Sequence, residues 1–191
     1  LADIRKQGFC YPNQYQPKNF HADISAEYAQ HSKEQLEKVK ISVAVAGRMM
    51  TRREMGKASF CNIQDMSGQM QVYVRSQDLE PGAYQKFQEM DLGDIVYVAG
   101  TVFKTQKGEL SIYAAEIVLL SKALHPLPDK YHGLHDIEIC YRQRYLDIMV
   151  NPLTRQRFIT RAKAIEQLRS FLIDNRYIEV ETPMMHTLAS G

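Results

Sequence analysis

Residues 46–60 read AGRMMTRREMGKASF, which sets Arg48, Arg52, Arg53 and Lys57 against Glu54 alone and ends on the ring of Phe60. Guanidinium and ammonium groups bind phosphate, guanidinium and amide groups read hydrogen-bonding edges, and an exposed ring offers a flat partner to an unpaired base. Together these are the parts of a surface that holds single-stranded nucleic acid. They work only if some element turns Phe60 away from the core.

The neighbouring strands supply that element. Ile41, Val43 and Val45 alternate with Ser42, Ala44 and Ala46, the period of a half-buried strand. Gly47 interrupts the alternation and predicts a bend or bulge that lets one long strand serve both sides of a barrel. After the basic turn, Cys61 and Ile63 share one parity and Phe60 and Asn62 the other, so Phe60 points outward. Met70, Val72 and Val74 define the next core face and leave Gln71, Tyr73 and Arg75 on the opposite one, with Ser67-Gly68 as the hairpin turn. A short helix is expected over about residues 82–90, followed by strands over about 94–104 and 108–120 that turn at Lys107-Gly108. In the last strand Leu110, Ile112 and Ala114 face inward, which puts Glu109, Ser111 and Tyr113 with the polar set. Five strands with a helix after the third is the order of an oligonucleotide/oligosaccharide-binding (OB) barrel, so the expected class is mainly β with flanking helices.

Composition bounds the partners. The 191 residues, 45% of them hydrophobic, suffice for one small domain and part of another. A net charge of +2 is too small to announce nucleic acid, so the clustering of the cations carries that reading. No apolar run approaches the roughly 20 residues of a membrane span, and no signal-peptide pattern is present; the cytoplasm is expected. Cys10, Cys61 and Cys140 are scattered without a CxxC pair and read as inert thiols. His132 and His135 lack partner ligands at suitable spacing, so no metal site is expected.

The organisation falls into four parts: an N-terminal helical segment over 1–38, the barrel over 39–121, a connector over 122–136 and an incomplete second domain over 137–191. Residues 1–7 read as the end of a helix whose beginning is missing, and a further helix is expected over about 20–31. Ser32 and Gln35 form a capping-box pattern for a third. In the second domain Ile137, Tyr141, Tyr145 and Ile148 recur at helical spacing. Asn151-Pro152 caps a long helix whose stripe is Phe158, Ala162, Ile165, Leu168 and Leu172. Residues 176–182 alternate like a strand that ends at Pro183. A lone strand has no sheet to join, so the polypeptide is expected to continue or to pair with a second copy.

Residues 126–151, PLPDKYHGLHDIEICYRQRYLDIMVN, together with the basic segment and NRYIEVETPMM, resemble the class II lysyl-tRNA synthetases of bacterial type over essentially the whole chain. The resemblance implies an anticodon-binding OB barrel followed by the beginning of a class II catalytic domain. It implies a lysine-tRNA ligase that uses ATP and Mg2+ to activate lysine and transfers it to tRNA(Lys). Phe60 would stack on the central uridine of the anticodon, Arg53 and Gln71 would hydrogen-bond that base, and Glu109 would lie near its neighbours. Arg53 has the parity of Ile41, so it needs a bulge near Gly47 or a turn position to reach this face. Arg48, Arg52 and Lys57 would meet phosphate, while Tyr73, Arg75 and Tyr113 read as surface strand residues beside the site. The helix from Pro152 and the stretch through Pro183 resemble the first class II motif, which implies a homodimer interface. The ATP-gripping motifs are expected beyond Gly191, so no catalytic residue is named and this stretch alone is expected to be inactive. Alternative readings are a non-catalytic single-strand-binding OB module and an aspartyl- or asparaginyl-tRNA synthetase.

Overall fold

The computed structural model describes residues 2–6, 11–128, 134 and 136–185. The chain divides into two compact units, 1–127 and 128–191.

In the first unit three short helices, α1 (Ala2–Lys6), α2 (His21–Tyr28) and α3 (Lys33–Val39), precede five strands. These are β1 (Ser42–Met55), β2 (Ala58–Gln64), β3 (Gln69–Arg75), β4 (Ile95–Lys104) and β5 (Leu110–Ser121), with helix α4 (Ala83–Gln88) after the third. They close as β1-β2-β3-β5-β4, with β3 and β5 parallel and the other pairs antiparallel, as the strand order of an OB barrel demands. Alternation fills the interior: Val43, Val45 and Met49 of β1, Cys61 and Ile63 of β2, Met70, Val72 and Val74 of β3, and Ile112 and Ala114 of β5 are all buried. Phe87 of α4, Ile24 of α2 and Leu36 of α3 join the same core. The capping box at α3 forms as expected: Ser32 Oγ accepts from Gln35 N, and Gln35 Oε1 accepts from Ser32 N.

The single long β1 serves two partners, pairing with β4 over residues 42–48 and with β2 over 48–55. Gly47 permits that crossing, because a Cβ there would stand 2.8 Å from Gln64 O. The bulge itself lies three residues later. The β1–β2 register runs Met49↔Ile63 and then Thr51↔Asn62, so Met50 is the extra residue. A second irregularity, between Ala99 and Gly100, leaves Ala115 as the extra residue of β5. Gly100 is required there, since a Cβ would fall 2.0 Å from Tyr113 O.

The second unit contains α5 (Ile137–Arg142), α6 (Arg144–Val150) and α7 (Pro152–Asp174). The helical spacing from Ile137 to Ile148 is divided by Gln143, whose backbone leaves the helical region. Asn151 Oδ1 accepts from Leu153 N at 3.1 Å with Pro152 in the first turn, the cap expected from sequence. Asp147 is buried and ties α6 to α7, accepting Arg144 Nη1 at 2.6 Å and the Thr154 hydroxyl at 3.2 Å. The Arg144 guanidinium lies over the rings of Tyr141 and Phe158. Asp147 is therefore a structural clamp.

Residues 176–182 do not form the expected strand, and among the described residues of the second unit there is no strand at all. Arg176 takes a left-handed conformation, φ 66°, at the end of α7 and turns the chain back. Arg169 Nε then meets Glu179 Oε1 at 3.0 Å, and Pro183 is exposed beyond it. Cys10, His132 and His135 lie outside the described residues.

Candidate nucleic-acid interface

The outer flank of the barrel gathers four rings from four strands. Phe60 of β2 packs 4.8 Å from Tyr73 of β3 between centroids, Tyr73 lies 5.2 Å from Tyr113 of β5, and Phe103 of β4 lies 5.7 Å from Tyr113. None of the four belongs to the buried core, and each is half-buried. Tilted and edge-on contacts hold the rings by their sides and leave area facing solvent. Phe103 was not singled out from sequence. Its signal was available, since Val96, Val98 and Val102 share one parity and leave Phe103 on the other.

Polar groups surround the rings. Arg53 stands directly across from Phe60 in the β1–β2 register, and residues directly opposite one another share a face. The Met50 bulge makes this so, resolving the parity that would otherwise have placed Arg53 inward. Gln71 lies opposite Asn62 on β2, and its side-chain amide donates to the carboxylate of Glu109. At the other side Tyr113 donates its hydroxyl to Asp78 Oδ2 at 2.7 Å, with Arg75 Nε 3.8 Å from the same oxygen. Burial, reinforced by the bond to Asp78, raises the Tyr113 phenol above its ordinary range, and the hydrogen bond that Arg75 donates to the Tyr113 oxygen is the chief cause that raises Arg75.

Two expectations for this flank are corrected. Arg48 and Arg52 are half-buried and turned in part onto backbone rather than extended from the flank: Arg48 Nη1 donates to Gly93 O at 2.7 Å, and Arg52 Nη1 reaches the carbonyls of Phe87, Gln88 and Met90. Only Lys57, in the β1–β2 turn, remains an exposed cation of that trio. Ser111 keeps the outward parity but is fully buried between its register partners Gln71 and Phe103, with its hydroxyl bonded to Glu109 O. A short side chain flanked by long ones is covered even on an outer face.

Cys61 is enclosed in the core, and burial pushes its thiol up to about 12. Among the described residues no group of three or more His, Cys, Asp or Glu is placed to hold a metal ion, and no helix is long and apolar enough to cross a membrane.

The barrel and its ringed flank define a nucleic-acid-binding OB domain, here followed by the start of a class II synthetase domain. Residues 43–120 match the OB-fold nucleic acid binding domain of the tRNA anticodon type, and residues 136–191 match the class II tRNA synthetases for D, K and N. Over its whole length the chain is similar to lysine–tRNA ligases. It is 48% identical over 191 residues to the lysine–tRNA ligase of Paraburkholderia xenovorans (strain LB400), which covers 100% of this chain and 37% of that relative. Against the lysine–tRNA ligases of Burkholderia multivorans (strain ATCC 17616 / 249) and Burkholderia mallei (strain SAVP1) the identity is 50% and 51%, in each case over 100% of this chain and 38% of the relative. The chain thus spans little more than a third of the length of these relatives.

Proposed function

We propose that this chain is the anticodon-reading part of a cytoplasmic lysine–tRNA ligase, which joins lysine to tRNA(Lys) at the expense of ATP. The observation that carries the reading is the flank on which Arg53, Phe60, Gln71 and Glu109 converge, in a chain about half identical to such ligases from end to end. Phe60 stacks on the central uridine of the anticodon, with its plane supported by Tyr73. Arg53 and Gln71 bond the edge of that base, Glu109 lies beside its neighbours, and Lys57 meets phosphate. ATP and Mg2+ are assigned to the portion of the relatives that this chain does not span, where they supply lysine activation.

The long α7 carries exposed Ile165, Leu168, Phe171 and Leu172. This apolar side, with the stretch through Pro183, forms the contact of a symmetric homodimer.

Phe60→Ala tests the reading. The variant should weaken binding of a UUU anticodon stem-loop by about 1–3 kcal/mol while leaving the melting temperature nearly unchanged, since the ring lies outside the core. Undiminished affinity would refute the stacking role.

A further inference from the structure

We infer that Arg52 is a positioning residue for the base-reading flank: its guanidinium, locked onto the end of α4, fixes the Met50 bulge and thereby decides that Arg53 stands beside Phe60. The inference rests on the anticodon-reading role given to that flank.

Arg52 and Arg53 are adjacent, so in a strand they must point to opposite faces. Which of them faces the rings depends on one extra residue. With Met50 bulged, Arg52 lies opposite buried Cys61 and Arg53 opposite Phe60. Were β1 to continue past Met49↔Ile63 without the bulge, every later partner would slip by one: Arg52 would stand across from Phe60, and Arg53 would turn toward the buried Ser59.

The bulge is gripped on both sides. Ahead of it, Met49 N donates to Asp94 O at 2.8 Å, and Gly93 N donates to Met49 O at 2.7 Å. Behind it, Arg52 Nη1 donates to Phe87 O at 3.2 Å, Gln88 O at 3.1 Å and Met90 O at 2.5 Å. These carbonyls lie at and beyond the C-terminal end of α4, where helical partners run out and a cation is favoured. The guanidinium also lies 5.9 Å from the centroid of the buried Phe87 ring, and its Nε meets Glu54 Oε1 at 3.1 Å. Two separate nitrogens make these contacts, Nη1 sharing its two hydrogens among three carbonyls and Nε facing Glu54, a spread that the single nitrogen of an ammonium cannot copy. Asp94 in turn is buried, accepting from Ala123 N and from Lys122 Nζ, each at 2.8 Å. The loop that holds Met49 is thereby itself fixed.

The test uses the whole chain and two readouts. Cross-strand proton contacts in nuclear magnetic resonance spectra report which of residues 52 and 53 faces Phe60, without any RNA. Binding of stem-loops with UUU and UCU anticodons reports base discrimination. Arg52→Gln should replace the 53-to-Phe60 contacts by 52-to-Phe60 contacts and reduce discrimination by at least about fivefold, as far as Arg53→Gln does; the double variant should be no worse, the mark of a shared path. Arg52→Lys keeps the charge and one donor head and covers the case in which the glutamine variant does not fold. It should show both sets of contacts and an intermediate loss. The inference is overturned if either variant keeps only the 53-to-Phe60 contacts with discrimination unchanged, or if affinity falls equally for both stem-loops while the register stays intact. If the unaltered chain binds both stem-loops alike, the anticodon reading fails, and the proton contacts still decide whether Arg52 sets the register.

Discussion

Gln71 on β3 donates its side-chain amide nitrogen to the carboxylate of Glu109, the residue just before β5. The strands meet there in parallel through Gln71↔Ser111, so the bond spans the seam that closes the barrel. With its nitrogen engaged, the amide presents its carbonyl as the uncommitted end. A carbonyl accepts from the N3–H of uracil, whereas cytosine offers a bare acceptor at the same position.

Glu109→Ala should therefore weaken binding of the uridine stem-loop selectively. The freed amide can turn either end outward, so the preference for a central uridine should fall by about 1 kcal/mol while binding of the cytidine stem-loop changes little. Parallel titrations of the two stem-loops measure this, and an equal loss for both would exclude the orienting role. Because Glu109 is exposed, thermal stability should not move.

How far these roles could be read from sequence depended on whether a residue's face followed from its own strand. Val43, Val45, Cys61, Ile63, Met70, Val72 and Val74 all lie where alternation places them, and so do Phe60, Gln71 and Tyr113. Alternation holds until a strand gains a residue, and that gain depends on the partner strand and the 90–94 loop. The sequence shows an anomaly at Gly47 but no mark at Met50. The roles of Arg52 and Arg53 were accordingly open, and Arg48 and Arg52 looked like phosphate ligands while backbone carbonyls distant in sequence were waiting for them. The burial of Ser111 was hidden for a related reason, since it is set by cross-strand neighbours. The alternating run after α7 failed as a strand because periodicity describes a face and cannot supply the neighbouring strand.

Asp65 makes the first unit sensitive to acid. Burial acts to raise its carboxyl, but donors from His21 N, Ser67 Oγ and Gly68 N outweigh that and hold it below the usual aspartate range. A carboxyl depressed in the folded state contributes stability that is present above its unfolded value, about 3.9, and is lost as pH falls through the lower folded value. Urea midpoints should thus be flat from neutral pH down to about pH 4 on this group's account and decline below it. Asp65→Asn should be less stable at neutral pH and should show a shallower decline. A variant whose acid profile superimposes on that of the unaltered chain would mean that the β2–β3 turn and its tie to α2 do not depend on the charge.

Asp147 should matter to the second unit in a way that separates charge from connectivity. Asp147 is 2% exposed, and its carboxylate joins two partners of different kinds, the Thr154 hydroxyl on α7 and the guanidinium of Arg144 on its own helix. Thr154 is itself buried, whereas the Arg144 side chain is about a third exposed, so water can replace the acid for arginine but not for threonine. Asp147→Ala should therefore cost about 1–3 kcal/mol, chiefly by stranding a buried hydroxyl. Asp147→Asn keeps an acceptor for Thr154 and should cost less, even though it removes the charge. Thr154→Val removes the hydroxyl without leaving it unpaired; combined with Asp147→Ala it should recover part of the loss, because nothing is then left buried without a partner. Urea unfolding followed by circular dichroism ranks the four chains, and an asparagine variant as unstable as the alanine one would assign the clamp to the ion pair instead.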